Sequence, residues 1–152
     1  MEQCWFVLFY ASQYDMALGC FERALALADD TNMADVWYNI GQVAIGIGDL
    51  GLAYQTFKIA ISIDSDHAEA FCNLGVLELR MRREERARSN FESAMRLAPH
   101  QFEAHYNGGL LAYNQGKFEP AHALATKALD RYKNHTDSKE LLSQLRQHFT
   151  KL

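Results

Sequence analysis

A step of 34 residues maps the middle of this sequence onto itself. Gly41, Gly75 and Gly109 stand that far apart, as do Ala53, Ala87 and Ala121, and Ala60, Ala94 and Ala128. Looser matches accompany them: Trp37, Phe71 and His105; Ile40, Leu74 and Gly108; Phe57, Phe91 and Ala125; Ser65, Pro99 and Lys133. A unit this short cannot bury its own apolar face, so a chain with this period stacks its units and shares a core between them. The residue types give the packing. Glycine inside a helix costs about 1 kcal/mol relative to alanine, so Gly75 marks a close crossing of two helices. Ala87 is small at the same crossing, Phe91 fills the space between the helices, and Ala94 lets the next helix approach. Pro99 has no backbone N–H and ends the second helix.

That order of residue types, most complete in residues 71–99, is the tetratricopeptide-repeat signature. It implies an all-α solenoid of about four helical hairpins, a right-handed superhelix, with a C-terminal capping helix. The repeat array spans residues 1–134, with a partial repeat at 1–33 and repeats at 34–67, 68–101 and 102–135. Apolar rhythm and breakers predict helices at about 2–12, 14–28, 34–47, 50–63, 68–81, 84–97, 102–115 and 118–132. Gly48-Asp49 and Gly116-Lys117 are hairpin turns. The middle turn at Arg82-Arg83 lacks a glycine, yet its spacing predicts the same tight turn. Segment 136–152 is the cap: Thr136-Asp137 with Glu140 suggests a capping box, and Leu141, Leu142, Leu145 and Phe149 form one apolar stripe.

The partial repeat carries Ala17, Phe21 and Ala24, but Trp5 stands where glycine is expected. Either the first hairpin is degenerate or the chain begins inside a longer array, the second being the favoured expectation, and the open repeat implies self-association through Trp5, Phe6 and Phe9 or poor solubility. The apolar run in MEQCWFVLFYAS is too short to span a membrane and has no basic flank. Direct membrane insertion is not expected.

A formal charge of −4 argues against a general nucleic-acid binder. The cysteines, Cys4, Cys20 and Cys72, form no CxxC pair and read as free buried thiols. No P-loop, dinucleotide fingerprint, GxSxG or HExxH is present, and the histidines are scattered. No enzymatic activity, cofactor or metal is expected.

The best candidate surface is the concave groove that stacked first helices produce. Three ladders at the 34-residue step would line it. Asn39, Asn73 and Asn107 are amides that either hold the backbone of an extended peptide or bond only to neighbouring backbone. Asp35, Glu69 and Glu103 are acidic. Gln42 and Val76, then Arg80, continue along the same helices. Groove residues of this composition, with one basic side chain, disfavour a clamp for a terminal carboxylate and suit a basic or neutral peptide or helix. A second cluster, Arg80, Arg82, Arg83, Arg86, Arg88 and Arg96, surrounds the middle turn with interleaved glutamates that can pair with it.

Less regular strings carry a closer likeness. SQYDMALGCFERALALADD at 12–30, ADVWYNIGQVAIGIGD at 34–49, HAEAFCNLGVLELR at 67–80 and QLRQHF at 144–149 resemble the C-terminal repeats of a tetratricopeptide-repeat subunit of the BBSome, the family of the eighth Bardet–Biedl syndrome protein. The resemblance implies a scaffold subunit of an octameric coat that carries membrane proteins into and out of cilia and is recruited by an Arf-like GTPase. It implies other BBSome subunits as partners, and a place in the cytoplasm, cilium and basal body or centrosome. Family members carry further repeats before this region. The residues alone leave open a free-standing adaptor that binds a peptide or helix in the groove.

Overall fold

The computed structural model describes the backbone of residues 2–151 and the side chains of Gln13 and of residues 15–151. Among the described residues the secondary structure is all helix: α1 Glu2–Leu27, α2 Met33–Gly46, α3 Leu50–Ile63, α4 Ala68–Arg80, α5 Glu84–Leu97, α6 Phe102–Asn114, α7 Phe118–Arg131 and α8 Thr136–Thr150. The chain divides into two units, Met1–Ser65 with α1–α3 and Asp66–Leu152 with α4–α8.

Three hairpins, α2–α3, α4–α5 and α6–α7, carry the repeat, and each turns in the same way. At the equivalent positions Gly48, Arg82 and Gly116, φ is +82, +58 and +75. The next N–H in each turn donates five residues back: Asp49 to Ala44 O at 2.9 Å, Arg83 to Glu78 O at 2.9 Å and Lys117 to Ala112 O at 2.8 Å. These are Schellman closures, which satisfy carbonyls left open at a helix end. The glycine-free middle turn thus forms as its spacing predicts. Arg82 sits in the left-handed region, which costs an L-residue roughly 1–2 kcal/mol.

Helix starts are capped by one favoured capping residue, Asp49, and by two histidines. Asp49 accepts from Leu52 N at 3.0 Å. His67 accepts through Nδ1 from Ala70 N at 3.2 Å, and His135, two repeat steps on, accepts through Nδ1 from Ser138 N at 3.3 Å. The cap of α8 is therefore His135, not Thr136 or Asp137. Those two residues lie in the first turn, where Asp137 suits the positive helix end.

Phe57 and Phe91 are fully buried. Each ring lies on the glycine of its own hairpin: a Cβ added at Gly41 would stand 2.5 Å from Phe57 Cε1, and one at Gly75 2.5 Å from Phe91 Cε1. In the third hairpin the ring is replaced by Ala125, and backbone approaches instead, with Ala121 O and Ala125 N each 3.3 Å from a Cβ built on Gly109. In the second unit one core cluster gathers Cys72, Phe91, Ala94, Ala104 and Leu111. Another joins Ala112, Ala121 and Ala125 to Leu141, Leu142 and Leu145 of α8, which covers the last hairpin as a cap.

The N-terminal segment differs from the helices expected at 2–12 and 14–28, because α1 runs unbroken from Glu2 to Leu27. Ala11-Ser12-Gln13-Tyr14-Asp15 contains neither glycine nor proline, so nothing forces a turn. The expected self-association side chains Trp5, Phe6 and Phe9 lie outside the described residues. Cys72 is buried as expected. Cys20 is exposed instead, on a face of α1 where Arg23 Nη2 approaches its sulfur at 3.9 Å.

Candidate functional site

The groove-lining residues expected in the second unit occupy one stripe on each first helix. On α4 it runs Glu69, Asn73, Val76, Arg80, at steps of four, three and four. On α6 it runs Glu103, Asn107, Leu110, Asn114. Buried residues flank this stripe on each helix, among them Ala70, Cys72 and Leu77 on α4 and Ala104 and Leu111 on α6. The stripe stays partly or fully exposed: Glu69, Arg80 and Glu103 are exposed, and Asn73, Val76 and Asn107 half-buried. In the first unit, Asp35, Asn39 and Gln42 form the corresponding exposed stripe on α2.

Hydrogen bonds join successive repeats along the second stripe. Gln101 Nε2 donates to Glu69 Oε1 at 2.7 Å. Asn107 Nδ2 donates to Cys72 Sγ at 3.7 Å, a weak bond to a poor acceptor. Asn107 thus ties one first helix to the next, through a side chain rather than through neighbouring backbone. In the first unit, Gln42 Nε2 donates to Tyr38 Oη one turn back. Sequence patterning missed Gln101 as the partner of Glu69, although it sits one residue before α6, at the position where His67 and His135 cap their helices.

The electrostatics follow the packing. Burial alone would raise the Glu69 carboxyl, but the Gln101 amide, the residue's own backbone N–H and the nearby His67 and His100 outweigh it and hold Glu69 below the usual carboxylate range. Burial pushes the Cys72 thiol up to about 11; the Asn107 bond opposes this, and the fields of Glu103 and Glu69 add to it. Cys72 stays protonated at neutral pH and behaves as a small apolar residue. The stripe offers carboxylates, amides and a single guanidinium.

Two of the arginines around the middle turn, Arg83 and Arg88, are engaged by neighbouring glutamates. Arg88 bonds Glu85 and lies 3.5 Å from Glu92, on the same face of α5. Arg83 Nη1 lies 3.6 Å from the buried Glu78 carboxylate across the turn. Gln115 Nε2 donates to Glu84 Oε2 at 2.9 Å, tying α6 to the start of α5. Among the described residues no group of three or more His, Cys, Asp and Glu is placed to hold a metal ion. No helix among them is long and apolar enough to cross a membrane.

Family models of the tetratricopeptide repeat match residues 34–67 and 72–143. Human tetratricopeptide repeat protein 8 is 46% identical over 131 residues, which is 86% of this chain and 24% of that protein. The chain thus spans about a quarter of that relative's length. The tetratricopeptide-repeat domain of Arabidopsis OM64 superposes with a TM-score of 0.74 at 19% identity, over 79% of this chain and 99% of that one. The first such domain of Spaghetti (RPAP3), solved with an HSP90 peptide of sequence SRMEEVD, gives 0.73 at 18% identity, over 81% of this chain and 97% of that one. At these identities the two structures share the fold.

Proposed function

This chain belongs to the tetratricopeptide-repeat family, and on that premise we propose that it is a non-enzymatic protein–protein interaction scaffold acting as a BBSome coat subunit in ciliary membrane-protein transport and cilium assembly. The observation that carries this reading is the 46% identity to tetratricopeptide repeat protein 8 across most of the chain, together with the strings at 34–49 and 144–149, which are more specific than the repeat consensus. On this reading the chain works in the cytoplasm and at the cilium and basal body, and its partners are other coat subunits. The docking surface is the stripe of Glu69, Asn73, Val76 and Arg80 with Glu103 and Asn107, and of Asp35, Asn39 and Gln42 in the first unit. An affinity pull-down from ciliated cells, with the tagged chain as bait, should recover other coat subunits. Recovery of none of them would overturn the reading.

A second reading, a free-standing adaptor for an extended peptide or helix, is favoured by the acidic and amide-rich stripe. Its ligand would be basic or neutral. The peptide seen with the Spaghetti domain carries two glutamates and a terminal aspartate, and Glu69 and Glu103 would repel such a ligand. Replacing Asn73 and Asn107 by alanine should weaken peptide capture while helicity, read by circular dichroism, is retained. Unchanged capture would remove this reading.

A further inference from the structure

Among the described residues, Arg82 is the one non-glycine residue at positive φ. Gly48 and Gly116 fill the equivalent places in the other two hairpins, so glycine is what this turn asks for. Arg82 closes the same turn in a conformation unfavourable to an L-residue. Strain of this kind collects where a side chain is needed for function. Within the chain the Arg82 side chain has no such use: it is exposed, and its guanidinium makes no hydrogen bond and no ion pair within 4 Å among the described residues. Arg80, two residues back, and Arg86, four residues on, are exposed and uncommitted in the same sense.

The glutamates near the turn do not cancel these charges. Glu78 is buried and faces Arg83. Glu85 and Glu92 flank Arg88, and Glu84 accepts from Gln115. At roughly 3.6 residues per turn, Glu84, Glu85, Arg88 and Glu92 share the flank of α5 that faces the α6–α7 hairpin, where Lys117 also feels Glu85. Arg86 lies on the other flank with Asn90 and Ser93, and there α5 carries no carboxylate. Charge therefore separates across the turn. It is mixed and internally paired toward α6–α7, and basic from Arg80 through Arg82 to Arg86.

We propose that Arg82 and Arg86, beside Arg80, dock an acidic segment of a partner protein that presents two or more carboxylates a few residues apart. A guanidinium offers a carboxylate two parallel N–H donors, so separate arginines match separate carboxylates. An anionic membrane fits less well. It would set its charge against Glu84 and Glu85 as well as against the arginines, and Met81, 40% exposed, is the turn's single apolar contact for it. Arg80 also ends the α4 stripe, but Arg82 and Arg86 lie outside it, so this surface is independent of whatever the stripe binds.

The test is an NMR titration of the full chain, labelled at arginine, with acetyl-Glu-Asp-Glu-Asp-Glu-Asp-amide, and with acetyl-Gln-Asn-Gln-Asn-Gln-Asn-amide as control. The acidic peptide should shift the Arg82 and Arg86 side-chain signals, bind more tightly than the control and weaken as salt is raised. Arg82→Gly should raise the thermal stability of the chain and yet weaken the acidic peptide about twofold to fivefold, the range for an exposed ion pair. Arg86→Gln should weaken it by a similar factor. Arg96→Gln removes the same charge roughly 15 Å along α5 from Arg86 and should leave binding unchanged. Equal binding of the amide peptide, an Arg96→Gln effect as large as that of Arg82→Gly, or a lower stability of Arg82→Gly overturns the proposal. So does binding to phosphatidylserine vesicles that is lost in Arg82→Gly while the acidic peptide does not bind.

Discussion

Gly75→Ala isolates the contact that defines the repeat. Two terms of opposite sign compete. Alanine is the better helix former by about 1 kcal/mol. The new Cβ, however, would stand 2.5, 2.7 and 2.9 Å from three atoms of the Phe91 ring, and Phe91 is fully buried. Overpacking of this kind costs about 1–3 kcal/mol, so the variant should lose up to about 2 kcal/mol net. The decisive measurement is the same substitution in a Phe91→Ala background. There the ring is gone, only the propensity term remains, and Gly75→Ala should stabilise by about 1 kcal/mol. The sign reverses, and the coupling between the sites reaches as much as about 3 kcal/mol, at the upper end for residues in contact. Phe91→Ala alone costs about 3–5 kcal/mol, so urea unfolding of all four proteins is best run in an osmolyte that favours burial. If Gly75→Ala stabilises the parent chain, or costs the same with and without the ring, the contact does not govern the hairpin.

Arg82→Gly should raise stability by about 0.5–1 kcal/mol in urea melts, because relief of the left-handed strain exceeds the added freedom of the unfolded chain; a loss would mean that the side chain holds the turn. Replacing His135 by alanine removes the acceptor for Ser138 N and should cost about 1 kcal/mol, with faster amide exchange at the start of α8. Leu145→Ala, at a fully buried site under the last hairpin, should cost about 2–5 kcal/mol and expose α7 to proteolysis. Glu69 has a depressed folded-state value, so its contribution is complete above the ordinary carboxylate value of 4.5 and is lost as pH falls through the folded value. Gln101→Ala should flatten that part of the pH–stability profile, as followed by thermal melts at pH 3–6. The SRMEEVD peptide should give no binding heat with this chain in calorimetry, and measurable affinity would contradict the acidic character assigned to the stripe.

Helices α2 through α7 were legible because their period, glycines and alanines are packing requirements written at fixed positions. The turn at Arg82 was legible too, since spacing constrains the backbone even where the preferred residue is missing. The unbroken course of α1 was not, because the expectation of a break came from repeat analogy rather than from a breaker in Gln13-Tyr14-Asp15. The cap at His135 escaped because histidine is not a usual capping residue; only its two-step spacing from His67 hinted at it. The stripe of Glu69 and Asn73 could be placed on a helix face from periodicity. The bonds from Gln101 to Glu69 and from Asn107 to Cys72 join residues more than 30 positions apart and depend on how one repeat sits on the next.

We propose docking, through the exposed first-helix stripes, to other subunits of a ciliary coat. Carboxylate-directed cross-linking of the purified assembly tests it most directly. Cross-links from other coat subunits to Glu69 and Glu103 are expected, suppressed when Asn73 and Asn107 are replaced by alanine. An assembly that contains the chain but yields inter-subunit cross-links only at residues off the stripes would contradict it.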